Sequence, residues 1–71
     1  MVNIDLLREK IDESGMSIVA ISEKAGMSRE TLYNRLKRKG EFTVSEIIAL
    51  TDILHLTKDE RDDIFLREKM N

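Results

Sequence analysis

The chain has 71 residues, a net charge of −2, no cysteine, no proline and three glycines. That length accommodates one small domain, and without cysteines or a cluster of metal-ligating residues its core must be held by packed apolar faces, not by disulfides or zinc. No apolar run approaches a membrane span, and the start MVNIDLLREK lacks the basic-then-apolar order of a signal peptide. Long aliphatic, Glu, Lys and Arg residues dominate, so the expectation is an all-α domain in the cytoplasm.

Asn3 is placed to cap a first helix that runs to about Ser14, with Leu6, Leu7 and Ile11 inward and Gly15 ending it. Ser17 then caps a second helix, Ile18 to Ala25, in which Ile18, Ile21 and Ala25 recur at helical spacing. Gly26 breaks the chain, and Met27 reads as a flexible core plug in the turn. From Ser28 a third helix runs to about Arg38, burying Leu32 and Leu36, and Gly40 stands where a left-handed C-cap would stop it. Two short helices across a tight turn make a helix-turn-helix.

Phe42 is placed to staple the incoming chain onto a fourth helix, and Thr43 with Glu46 has capping-box spacing. That helix, Val44 to about His55, puts Val44, Ile47, Ile48, Thr51 and Leu54 on one buried stripe, widened by Leu50 and Ile53. Thr57 and Glu60 repeat the capping-box spacing, so a fifth helix starts near Lys58 and carries Ile64, Phe65 and Leu66 toward its end. No repeat, low-complexity segment or linker interrupts this order, and residues 1–71 read as a single domain.

Charge is unevenly spread. Lys24, Arg29, Arg35, Lys37, Arg38 and Lys39 face a single acid, Glu30, so the stretch from Lys24 to Lys39 carries +5 and the remainder −7. A basic patch on an acidic body orients a domain on a polyanion. A solvated, lysine-rich helix end would have the same composition, and charge alone leaves both readings open.

The run ISEKAGMSRETLYNRL, with its apolar-small-x-x-apolar-Gly-apolar-Ser order, resembles the phage Cro and lambda-type repressor family of helix-turn-helix regulators. The downstream FTVSEIIALTDILHLTKDERDDIF is similar to the later helices of its short, Cro-like members, so the resemblance spans nearly the whole chain. It implies a five-helix lambda-repressor-like DNA-binding domain with the helix-turn-helix at helices 2 and 3. It also implies a repressor that lays helix 3 in the major groove of operator DNA. Two positions depart from the family. Ile18 stands where Gln often donates to a phosphate, so Ser17 or the helix's own first amides must serve instead, and Ser22 replaces a common alanine. Longer members carry a C-terminal domain, and the resemblance of these 71 residues is to the small, Cro-like members, so none is expected here.

With Leu32 and Leu36 inward, Glu30, Asn34 and Lys37 lie opposite and Tyr33 on the flank, while the resemblance adds Arg29 at the tip. Arg29, Glu30, Tyr33 and Asn34 are therefore the expected base contacts: Arg suits guanine, Asn adenine, Glu the cytosine amino group, and Tyr a thymine methyl or a phosphate. Ordinary first-turn surface chemistry is the alternative for both, weaker for Arg29 and even for Glu30, whose carboxylate phosphates repel unless it meets cytosine or orients an arginine. Asn34 discriminates better, because asparagine is a poor mid-helix residue. Ser17, Ser28, Thr31, Arg35, Lys37, Arg38 and Lys39 are the expected phosphate contacts, although Ser28 is also a cap and Arg35 could instead meet a Glu of a neighbouring helix.

A lone histidine, His55, makes neither a metal site nor a catalytic pair, and no Gly-rich phosphate loop is present, so no enzyme, cofactor or small-molecule ligand is expected. The expected partners are double-stranded DNA and a second copy, because one small module buries too little DNA surface for strong specificity. Ile64, Phe65 and Leu66 are candidates for that dimer interface, with core packing as the competing role for at least two of them. The rival function is a helical protein-interaction module, such as an adaptor or antirepressor, built on the same fold.

Overall fold

The computed structural model describes residues 2–67, and among them every regular element is helical. These are α1 (Ile4–Ser14), α2 (Ile18–Ala25), α3 (Arg29–Leu36), α4 (Val44–Ile53) and α5 (Lys58–Arg61), which runs on into a π-helical turn, Asp62–Leu66. Each of the five helix starts has a side-chain cap. Asn3, Ser17, Ser28, Thr43 and Thr57 accept from the backbone N–H groups of Leu6, Ala20, Thr31, Glu46 and Glu60 respectively, and the last two caps are closed into capping boxes by Glu46 and Glu60.

Helix ends obey a less obvious rule. Gly15 and Gly26 take the left-handed conformation after α1 and α2. After α3 the residue that closes the helix in that region is Arg38 (φ 63°), with Gly40 (φ 87°) following two residues on, and after α4 it is His55 (φ 53°). In each case a pair of backbone bonds closes the end: Arg38 N–H to Arg35 and Lys39 N–H to Asn34, then His55 N–H to Asp52 and Leu56 N–H to Thr51. These are Schellman pairings, and they end α3 at Leu36 and α4 at Ile53, short of the expected Arg38 and His55. Gly40 serves another purpose. A Cβ built there would lie 2.5 Å from Arg35 Nη1, so glycine is what lets the loop pass over that guanidinium.

The core joins Leu7 and Ile11 of α1, Ile21 of α2, Leu32 and Leu36 of α3, Leu50 and Leu54 of α4, and Leu56, Ile64 and Phe65 beyond. Met27 and Leu6 pack against it as expected. Ile64 and Phe65 are buried, which removes them from the list of candidate interface residues, and Leu66 is exposed. The predicted stripe on α4 needs a larger correction. Ile47, Leu50 and Leu54 carry the inward side, whereas Val44 is 73% and Ile48 64% exposed and Thr51 only half-buried. Periodicity allowed two apolar sides on this helix, and only packing against α2 chose between them.

Two long-range contacts close the chain. Asn3 N–H donates to the Ile64 carbonyl at 2.7 Å, and Phe42 meets Phe65 edge-on with ring centroids 5.3 Å apart. The π turn thereby gains a partner for a carbonyl outside the α-helical pattern and an aromatic anchor beside the loop that follows α3. Lys10 of α1 bonds Glu60 of α5 at 2.5 Å. No helix among the described residues is long and apolar enough to cross a membrane.

Candidate nucleic-acid interface

α2, the turn at Gly26 and α3 form the helix-turn-helix. Gly26 at φ 70° reverses the chain, Met27 N–H returns to the Ser22 carbonyl at 2.9 Å, and Ser28 opens α3 directly. Ser22 is 2% exposed and spends its hydroxyl on the Val19 carbonyl, so the serine in place of the family's alanine costs no unpaired polar atom. Leu32 and Leu36 fasten α3 to the core, which commits its other side to solvent.

On that outer side Arg29, Glu30, Tyr33 and Lys37 are exposed, and Tyr33 is 43% accessible despite its ring. Glu30, Tyr33 and Lys37 follow one another at helical spacing and share a face. Asn34 is half-buried at the flank, where its backbone carbonyl accepts from Lys37 and Lys39. Its side-chain amide makes no hydrogen bond among the described residues, so donor and acceptor are both free for a base edge. Thr31 is half-buried and its hydroxyl accepts from Ser28 Oγ at 2.8 Å, which ties both hydroxyls into the cap. Ser17 is exposed, with its Oγ accepting from the Ala20 N–H at 3.1 Å.

The basic residues divide into three groups. Lys37 and Lys39 are exposed and make no ion pair among the described residues. Arg38 is also exposed but reaches back across the fold, donating from Nη1 to the Val2 carbonyl at 3.3 Å. Arg35 is different. Its guanidinium lies against Glu46 of α4, Nε to Oε1 at 3.2 Å and Nη2 to Oε2 at 3.5 Å, with both side chains largely covered. An arginine so engaged has its charge compensated by Glu46 and joins α3 to α4, the alternative its sequence position left open beside a phosphate contact.

Sequence reasoning overlooked two residues that hold α3 in place. Glu46 was legible only as half of a capping box, and its second role needs a partner 11 residues away. Arg8 of α1 donates from Nη2 to the Leu36 carbonyl at 3.4 Å, a contact across 28 residues that leaves no local signal. It gives one of the orphan carbonyls at the end of α3 a donor.

A helix-turn-helix family model matches residues 7–61, which takes in the motif and the helices on either side of it. The chain belongs to the Cro/C1-type helix-turn-helix family. Its all-helical architecture fits the lambda-repressor-like fold of that family, and the family is one of DNA-binding regulators. No curated protein and no solved structure matched the chain. Within the family's frame α3 is the second helix of the motif, the one that helix-turn-helix proteins present to the major groove.

Proposed function

We propose that this Cro/C1-type protein is a sequence-specific transcriptional regulator, a Cro-like repressor of phage or prophage type acting as a single DNA-binding domain. It seats α3 in the major groove of operator DNA and binds as a two-fold dimer. One observation carries the reading: α3 presents exposed Arg29, Glu30 and Tyr33 with the unbonded amide of Asn34, and ends in exposed Lys37, Arg38 and Lys39, on a chain that is acidic elsewhere. The first group reads bases, and the basic turn with Ser17, Ser28 and Thr31 holds phosphates. Each hydroxyl accepts within its cap and keeps a lone pair or a proton for a phosphate or its bound water.

Binding to random DNA across a salt series, followed by selection of bound sequences from a random pool, tests this. Affinity falls steeply with salt, and the selected pool converges on a palindrome. Affinity that does not change with salt would favour a protein-interaction module on the same fold.

A further inference from the structure

α4 is apolar on two sides, and only one is used inside the domain. Ile47, Leu50 and Leu54 face the core, while Val44 and Ile48, one turn apart, are 73% and 64% exposed. Thr51 continues the outer stripe, and its hydroxyl proton is committed within the helix to the Ile47 carbonyl at 2.7 Å. Beyond it, Ile48, Thr51, Asp52 and His55 line a shallow groove with Leu56 and Arg61. An apolar helix side of this kind on a small domain marks a contact surface.

We propose that the Val44–Ile48–Thr51 face of α4 is the surface through which two copies of this chain meet, with their α4 helices antiparallel across a two-fold axis at Ile48. The biological meaning rests on the reading of the protein as a two-fold dimer on DNA. The stripe is self-complementary about Ile48: with Ile48 against the partner's Ile48, Val44 falls beside Thr51 and Asp52 of the partner subunit, and the reverse.

Charge supports the same arrangement. Asp52 stands in the last turn of α4, where the helix dipole disfavours an acid, and makes no ion pair among the described residues. In the antiparallel pair its carboxylate moves to the first turn of the other α4. There the capping box occupies the Thr43 and Glu46 N–H groups and leaves those of Val44 and Ser45 to accept a negative neighbour. Size sets the strength. A contact of two to three helical turns buries less than the roughly 1,200 Å² of a stable complex, so the free dimer is weak and DNA that holds two copies side by side completes it.

The chain has no cysteine, so a single introduced thiol reports contact directly. Under mild oxidation Ile48→Cys forms a disulfide-linked dimer about tenfold or more faster than Val19→Cys, because thiols beside a two-fold axis meet the short Cα separation a disulfide needs and thiols on α2 do not. In sedimentation equilibrium without DNA the wild type self-associates as concentration rises toward millimolar. Ile48→Lys, with unchanged helical circular dichroism, loses association about tenfold or more as two ammonium groups are forced together. Equal cross-linking rates at positions 48 and 19, a wild type that stays monomeric, or an Ile48→Lys variant that associates as the wild type does would each overturn the interface. None of these readouts involves DNA, so a failure of the operator-binding reading is seen separately.

Discussion

A single oxygen of Glu46 serves two bonds: Oε1 accepts from Arg35 Nε at 3.2 Å and from the Thr43 N–H at 2.9 Å. The carboxylate therefore caps α4 and fastens α3 to it. This one side chain thereby ties the helix that carries the candidate reading residues, already anchored by Leu32 and Leu36, to α4.

Removing Arg35 leaves Glu46 mostly covered and uncompensated. Arg35→Ala is expected to lower unfolding free energy by about 1–3 kcal/mol, against about 0.5 kcal/mol or less for the exposed Lys37→Ala, as read by urea denaturation. Gly40→Ala reports on the same pair, since its Cβ would lie 2.5 Å from Arg35 Nη1 and its φ of 87° is strained for alanine. A Gly40→Ala protein as stable as the wild type would show that the guanidinium is not held where the geometry puts it.

Positioning and reading residues separate on DNA. Asn34→Ala should cost about 1–3 kcal/mol on the selected operator and little on random sequence, because only a base edge uses its free amide. Lys39→Ala should weaken both alike and flatten the salt dependence by about one phosphate's share. Titrations of both variants on both DNAs check this, and equal losses throughout would assign Asn34 to the backbone.

His55 holds a left-handed conformation (φ 53°) at the end of α4 that suits glycine better. His55→Gly should therefore raise stability by up to about 1 kcal/mol, seen as a melting temperature about 4–8 °C higher. A lower melting temperature would mean that the imidazole contributes more than the strain costs.

Lys10 and Glu60 couple stability to pH. Glu60 is held below the ordinary carboxylate range by its hydrogen bond from Lys10 and then by the Thr57 N–H, and Lys10 is held above its ordinary value chiefly by that same bond to Glu60. The lowered carboxyl contributes stability above its unfolded value and loses it as pH falls through the folded one. The raised ammonium contributes below its unfolded value and loses its part as pH rises through the folded one. Glu60→Gln keeps an acceptor for the capping box, so its deficit against the wild type should be flat near neutrality and shrink both in acid and at high pH. Denaturation of the two proteins at pH 3, 7 and 11 measures it.

Much of this molecule was local and therefore legible. Five caps, two capping boxes, the glycine turns and the leucines of α3 depend on residues three or four apart, so the all-helical order and the helix-turn-helix followed from the sequence alone. The +5 cluster between Lys24 and Lys39 was equally plain. What the sequence by itself could not determine was which of two competent options each ambiguous residue took. α4 could bury either apolar side, and packing on α2 turned Val44 and Ile48 outward. Arg35 had the chemistry for a phosphate or a carboxylate, and Glu46 was brought within 3.2 Å of it by the fold. The end of α3 had glycine available at position 40, yet the residue that closes it is Arg38, while Gly40, also at positive φ, lies beside the Arg35 guanidinium. The first two choices depend on neighbours 11 or more residues away, where only tertiary packing sets the distance.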